Sequence, residues 1–329
     1  MTRTRLSAWL LAAALALGAL GLLAGSGGWS ADVLLDAGLH EVLWNIRAPR
    51  TLGAWLTGAL LGLGGALAQG LFRNPLADPY LLGSSAGAGL GVVLVLAAGS
   101  SHDIPMQWVA AGFGNRVGLV GAAFIGALLG VALTLLLARG AQRSTGLLLA
   151  GVVVGVVLGA VADLLTLAAP EALRGKQVFM LGTTGFLGWS SCALLAATLA
   201  VTLPLAWRFS RVLDALSLGD DSARSLGLRL AGLRWLLVAA LALATGTAVA
   251  QAGLIGFVGL VAPHLVRRAT PATHGATLIA SSAMGGVLLL ASDVLARSLL
   301  APEELPVGVL TAALGGSYLL WRMHRRGVA

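Results

Sequence analysis

Lys176 is the only lysine of the chain, and a phosphate-cradling loop needs one. It stands in Arg174-Gly175-Lys176-Gln177, which lacks the G-x-x-x-x-G-K-[ST] pattern, so there is no Walker A loop and any ATP hydrolysis must occur on another chain. His40 and Glu41 begin an H-E pair, but Trp44 stands where the second histidine of a zinc-binding helix belongs. His102, His264, His274 and His324 are scattered, which argues against a metal site. No G-x-S-x-G occurs, and no carboxylate pair is set at helical spacing inside an apolar run. The chain reads as a non-enzyme that binds no cofactor of its own. Asp293 and Arg297, spaced i,i+4, are expected to pair across a helix turn, and Asp163 to sit near the wetted end of its helix or to serve a pathway. Cys192 is alone, which excludes an intrachain disulfide.

The elements that must position these groups are membrane helices. A chain that is 58% hydrophobic and 10% charged exposes more apolar surface than one soluble core could bury. Apolar runs fall near residues 8–25, 51–71, 81–99, 117–138, 147–169, 191–207, 233–252, 276–296 and 306–321, most of them close to the roughly 20 residues of one span. A shorter run, 253–266, reads as a tilted short span or a re-entrant piece. Counting it gives an all-α integral membrane protein of about ten transmembrane helices. With the N-terminus and C-terminus both cytoplasmic, only Arg47, Arg50, Arg116, Arg174, Lys176 and Arg297 of the 21 basic residues fall outside. That asymmetry follows the positive-inside rule, so the net charge of +8 reflects topology and implies no nucleic-acid partner. The first run follows Arg3 and Arg5 but has no clean A-x-A site after it, and reads as a retained helix. Without linkers or low-complexity tracts, residues 1–329 read as a single transmembrane domain.

One polar island, 213–227, interrupts the apolar pattern between the sixth and seventh runs. Gly219 is expected to break it into two short helices, Asp220 or Asp221 to cap the second, and Gly227 to stop it. Leu213 and Leu216, then Ala223 and Leu226, are three apart, giving each helix an apolar stripe for a partner or the bilayer surface. An ordinary loop helix would look much the same. Arg73-Asn74-Pro75-Leu76-Ala77-Asp78-Pro79 is a stiff turn suited to a plug or gate, and Gln142-Arg143-Ser144-Thr145-Gly146 suits a helix start or a pore mouth. Glycines four apart, such as Gly58 and Gly62, Gly87 and Gly91, or Gly151, Gly155 and Gly159, let helices approach closely.

The chain resembles the permease subunits of type II ABC importers, the family of vitamin B12, haem and ferric-siderophore permeases. The resemblance rests on Arg47-Ala48-Pro49-Arg50, Gln69 with Arg73-Asn74-Pro75-Leu76-Ala77-Asp78-Pro79, Leu149-Ala150-Gly151 and the end of the island at Ala223-Arg224-Ser225-Leu226-Gly227. It extends through Gly256-Phe257-Val258-Gly259-Leu260-Val261-Ala262-Pro263-His264-Leu265-Val266-Arg267 and Glu304-Leu305-Pro306-Val307-Gly308-Val309-Leu310-Thr311. Gly315-Gly316-Ser317-Tyr318 departs from the family's usual small-residue-proline-aromatic turn. The resemblance implies a homodimer with a second copy of the chain, multi-pass in the bacterial inner membrane. Its other partners would be two ATP-binding-cassette ATPase subunits, which carry the ATP and Mg, and a periplasmic substrate-binding protein.

By the same resemblance the island becomes a pair of coupling helices, with Leu213, Leu216, Leu218, Gly219, Asp220, Asp221, Ala223, Arg224, Leu226 and Gly227 at the ATPase contact. Arg47, Arg50 and Arg297 match positions that meet acids of the binding protein, and Asn74, Leu76, Ser144 and Thr145 match the cytoplasmic gate. The implied cargo is a metal chelate, haem or ferric siderophore or cobalamin, moved by alternating access. An ion-gradient secondary transporter would want buried acids or histidines at midplane and inverted repeats, and a membrane enzyme an assembled acid, base or nucleophile.

Overall fold

The computed structural model describes residues 2–25, 28–29, 39–100, 116–138, 144–225, 230–270 and 272–326. Helix α1 is Arg3–Leu23, followed by a two-residue antiparallel ribbon of β1, Ala24–Gly25, and β2, Gly28–Trp29. A helical lead-in from His40, π-helical over Leu43–Arg47, continues into α2, Ala48–Phe72, with Pro49, which has no N–H to give to the ladder, just after the junction. A 3-10 turn at Pro79–Leu82 leads to α3, Ser84–Ser100, then come α4, Arg116–Leu137, and α5, Ser144–Ala168. Next are α6, Glu171–Leu181, α7, Trp189–Arg208, and two short helices, α8, Ser210–Ser217, and α9, Asp220–Ser225. The chain continues through α10, Leu230–Ala252, α11, Val258–Ala269, α12, His274–Ser298, and α13, Val307–Arg326.

Seven of the described helices are long and apolar enough to cross a membrane, and α3 and α13 carry shorter apolar stretches. Their apolar surface is turned outward as well as inward: Leu149, Val152, Val156, Leu164 and Leu167 of α5 are all exposed. α2 is the axis of the bundle, buried along almost its whole length. It lies against α12 at backbone distance, so that a Cβ added to Gly58 would overlap the Gly285 carbonyl oxygen. α3 and α4 meet in the same way, Gly87 facing Gly126. Close approach of this kind replaces the hydrophobic drive that lipid cannot supply. The Gly151, Gly155 and Gly159 series departs from the expectation, since among the described residues only Gly151 is used, against the carbonyl of Leu81, and nothing packs on the other two.

Two elements differ from the sequence reading. α6 occupies the polar stretch around Arg174 and Lys176, and Lys176 ion-pairs with Asp163 of α5. The short run 253–266 is divided: Gly253 to Phe257 is non-helical and α11 is only 12 residues, about 18 Å at 1.5 Å per residue. That is shorter than the roughly 30 Å hydrocarbon core. Its irregular backbone lies within the bundle, where Leu254 N donates to Phe179 O (3.0 Å) and Tyr80 Oη donates to Ile255 O (3.0 Å). Unwound backbone survives at such depth only when protein satisfies it.

Candidate coupling and docking sites

At the α2 C-terminal end, Gly219 takes φ 104° and separates α8 from α9, as glycine permits. Leu213, Leu216 and Ala223 are each fully buried and belong to one cluster with Leu67, Leu71 and Phe72 of α2 and Leu237 of α10. This corrects the expected use of the stripe: it anchors α8 and α9 to their own bundle and is not offered to a partner or the bilayer. The cause is the end of α2, where Gly70 leaves room for the Leu213 methyls, about 3.3 Å from where a Cβ would stand. The outward side of the pair is Ser217, Leu218, Asp221, Ser222, Arg224 and Ser225. Leu226 and Gly227 lie outside the described residues.

Asp220 is the electrostatic joint of this end. Its carboxylate meets Arg234 Nη2 of α10 at 2.6 Å and Arg73 Nη2 at 3.4 Å. Burial alone would raise its pKa, but the Arg234 hydrogen bond and charge, with Arg73 and Arg224, hold it below the ordinary carboxylate value. Asp221 faces solvent and pairs only loosely with Arg224, 3.4 Å away. Asp214 of α8 accepts from the backbone N–H of His274 (3.1 Å) and lies 2.7 Å from its Nδ1, so it caps α12 from another helix. Sequence reasoning missed this contact, since the two residues are 60 positions apart.

Arg73 ends α2 in the left-handed region, φ 51°, its N–H returning to Gln69 O. Asn74 Oδ1 then accepts from Leu76 N (2.9 Å), Asp78 Oδ1 accepts from Tyr80 N (2.9 Å), and Pro79 starts the 3-10 turn. Side-chain acceptors at both corners and two prolines make the turn stiff. Asn74 and Leu76 are exposed at its tip, while Ala77 and Pro79 are buried. Gln69 anchors the turn from above, donating to Leu260 O (3.3 Å) and accepting from Arg267. Ser144 and Thr145 open α5. Their side chains lie outside what is described.

At the α2 N-terminal end, Asp293 is fully buried. Its Oδ1 accepts from Arg50 Nε (3.2 Å) and Thr184 Oγ1 (2.5 Å), and its Oδ2 from Arg297 Nη2. Arg50 Nη1 also donates to Glu304, at 2.9 Å. Arg297 Nη1 donates to the carbonyls of Gly21 (3.0 Å) and Ala24 (3.3 Å), and Arg47 Nη1 to those of Leu22 (3.0 Å) and Leu23 (2.9 Å). Two arginines thus take up the last carbonyls of α1, where unsatisfied acceptors and the negative dipole end attract cations. This corrects the implied docking display: Arg297 is 1% exposed and Arg50 8%, and Arg47 is half-buried. A buried carboxylate must be paired, and Asp293 draws the guanidinium groups inward. The i,i+4 spacing showed the Asp293 and Arg297 pair. Thr184 and Glu304 joined it with no local signal.

A helical bundle with an apolar skin, ionic clusters at its two ends and a stiff turn seated between α2 and α3 defines a polytopic membrane protein. Among the described residues no group of three His, Cys, Asp or Glu side chains is placed to hold a metal ion. The sequence matches the FecCD transport family over residues 9–325, and the chain belongs to that family. It is 40% identical over 301 residues to the hemin transport system permease protein HmuU of Yersinia pestis, covering 89% of this chain and 87% of the relative. It is 41% identical over 283 residues to the vitamin B12 import system permease protein BtuC of Citrobacter koseri, covering 85% and 82%. The fold matches a solved ABC transporter assigned to the metal-chelate type, in an inward-facing conformation, with TM-score 0.82 and 27% identity over 98% of this chain and 99% of the other. PsaBC of Streptococcus pneumoniae shares the fold at TM-score 0.60 and 17% identity, over 88% and 91%.

Proposed function

We propose that the chain is the permease subunit of an ATP-driven importer that takes a metal chelate from a periplasmic binding protein and releases it to the cytoplasm by alternating access. The chelate class is haem, ferric siderophore or cobalamin, the first and last by likeness to relatives named for hemin and vitamin B12. In this reading residues 1–329 form one transmembrane unit of ten crossings in a bacterial inner membrane, both termini cytoplasmic. Two copies line a shared pathway, and two separate ATPase subunits dock on α8 and α9. No cofactor resides on the chain.

The observation that carries the reading is the Asp220 joint. One carboxylate holds the start of α9 to Arg234 of α10 and to Arg73, the first residue of the stiff turn that presents Asn74 and Leu76. A push on α8 and α9 is therefore delivered to the turn and to a long helix at once, which is what coupling of ATP binding to a gate requires. The partner would touch the outward side, Leu218, Asp221 and Arg224, while Leu213, Leu216 and Ala223 transmit the motion.

The test is reconstitution of the chain with its ATPase and binding protein in liposomes, following entry of iron chelates or cobalamin. ATP-dependent accumulation, at least tenfold reduced by Leu218→Arg with Asp221→Lys at unchanged thermal stability, is the expected result. Accumulation driven by an ion gradient without the ATPase would overturn it in favour of a secondary transporter.

A further inference from the structure

A groove of 390 Å³ separates the first half of α1 from α12 on the outer side of the bundle. Residue types hold it open: Ala14 lines one wall, and Ala276, Ala280 and Ala283, which recur at helical spacing along α12, line the other with side chains too short to fill it. Leu11 and Ile279 also line the groove and are exposed on the apolar skin, so it opens sideways toward lipid. From Arg3 to Ala14, α1 rises about 16 Å at 1.5 Å per residue, close to the roughly 15 Å of one leaflet. One end of the groove is cationic. Arg3 lines it, and Arg3 and Arg5 stand in the first turn of α1, where the helix dipole is already positive and no acid compensates. Arg268 lies in the last turn of α11, in sequence between the lining residues Val266 and Thr270. All three arginines are exposed, and none enters an ion pair among the described residues. Asp214, the acid that meets the start of α12, is already engaged by His274.

We propose that this groove seats one acyl chain of an anionic phospholipid, with its phosphate on Arg3 and its chain along the alanine stripe of α12. Arg5 and Arg268 add to the positive field that draws the headgroup. The lipid staples the start of α1 to the bundle, as Arg47 and Arg297 staple its end through the last carbonyls of the helix. A zwitterionic lipid fits the apolar walls equally well but brings its own cation toward Arg3, so selectivity resides in the headgroup.

The experiment is native mass spectrometry of the full chain, released from detergent that carries phosphatidylglycerol or phosphatidylcholine of identical acyl chains. Phosphatidylglycerol is expected to be retained at least fivefold more tightly. Arg3→Ala should lower that preference about three- to fivefold, while Arg211→Ala, at an exposed cation of α8 outside the groove, should leave it within about twofold. Ala276→Leu and Ala280→Leu, each checked by thermal melting, should reduce retention of both lipids alike, because they fill the wall without touching the charge. Glycerol 3-phosphate at millimolar concentration should not displace the lipid. Equal retention of the two lipids, equal effects of Arg3→Ala and Arg211→Ala, unchanged retention in both leucine variants, or displacement by glycerol 3-phosphate would each overturn the proposal.

Discussion

Asp293 and Asp220 show how one carboxylate can organise an end of a membrane bundle. Asp293 binds both Arg50 and Arg297 in full burial, so Asp293→Ala leaves Arg297 without its carboxylate and Arg50 with Glu304 alone, and is expected to cost about 3–5 kcal/mol. Thermal unfolding in detergent, followed by tryptophan fluorescence, checks this. Asp220 is half-buried and its pKa lies below the ordinary value of 3.8. A depressed carboxylate contributes stability above its unfolded pKa and loses it only as pH falls through the lower folded value. The joint is therefore expected to be unaffected between pH 7 and 5 and to open only below the usual carboxylate range. Hydrogen exchange of the α9 amides should stay slow at pH 5 in the native chain and speed up in Asp220→Asn. The i,i+4 pairing of Asp293 and Arg297 was legible in the sequence. The roles of Arg297 and Arg47 at the end of α1 were not, because a cap delivered from a distant helix has no local pattern.

Among the elements, contacts separate glycines that look alike in sequence. Gly285 in α12 and Gly155 in α5 both belong to small-residue stretches. A Cβ at Gly285 would overlap the Gly58 carbonyl oxygen, whereas a Cβ at Gly155 would meet nothing within 4 Å among the described residues outside its own helix turn. Gly285→Ala is expected to force α2 and α12 apart at a cost of about 3 kcal/mol, and Gly155→Ala to change stability by less than about 0.5 kcal/mol. Parallel melts of the two variants compare them directly. The island shows the same division. Its split at Gly219 and its apolar spacing could be read from residue types. The spacing could not say whether the stripe met an outside partner or the end of α2. α6 escaped notice because Arg174 and Lys176 look like loop residues until Asp163 is brought alongside.

For the whole molecule, the ten-crossing topology proposed above would place Arg3 and the end of α13 on the same, cytoplasmic side. Reporter fusions at both termini and at the turn after α12 should give cytoplasmic, cytoplasmic and periplasmic signals. An opposite signal at one terminus would remove the short α11 crossing. Native mass spectrometry of the assembled importer is expected to find two copies of the chain. Composition alone determined that this is a membrane protein, since 58% hydrophobic residues have nowhere else to be solvated, and hydropathy located each of its main helices. Residue spacing also marked the apolar stripe of α8 and α9, Leu213 and Leu216 with Ala223. What only the tertiary structure decided is which charges are engaged inside: Arg297 on α1, Arg50 between Asp293 and Glu304, Asp220 between Arg73 and Arg234. The reason is physical. An apolar run follows from local composition, but an ion pair depends on which distant helix end arrives beside it, and that is set by the packing of the whole bundle.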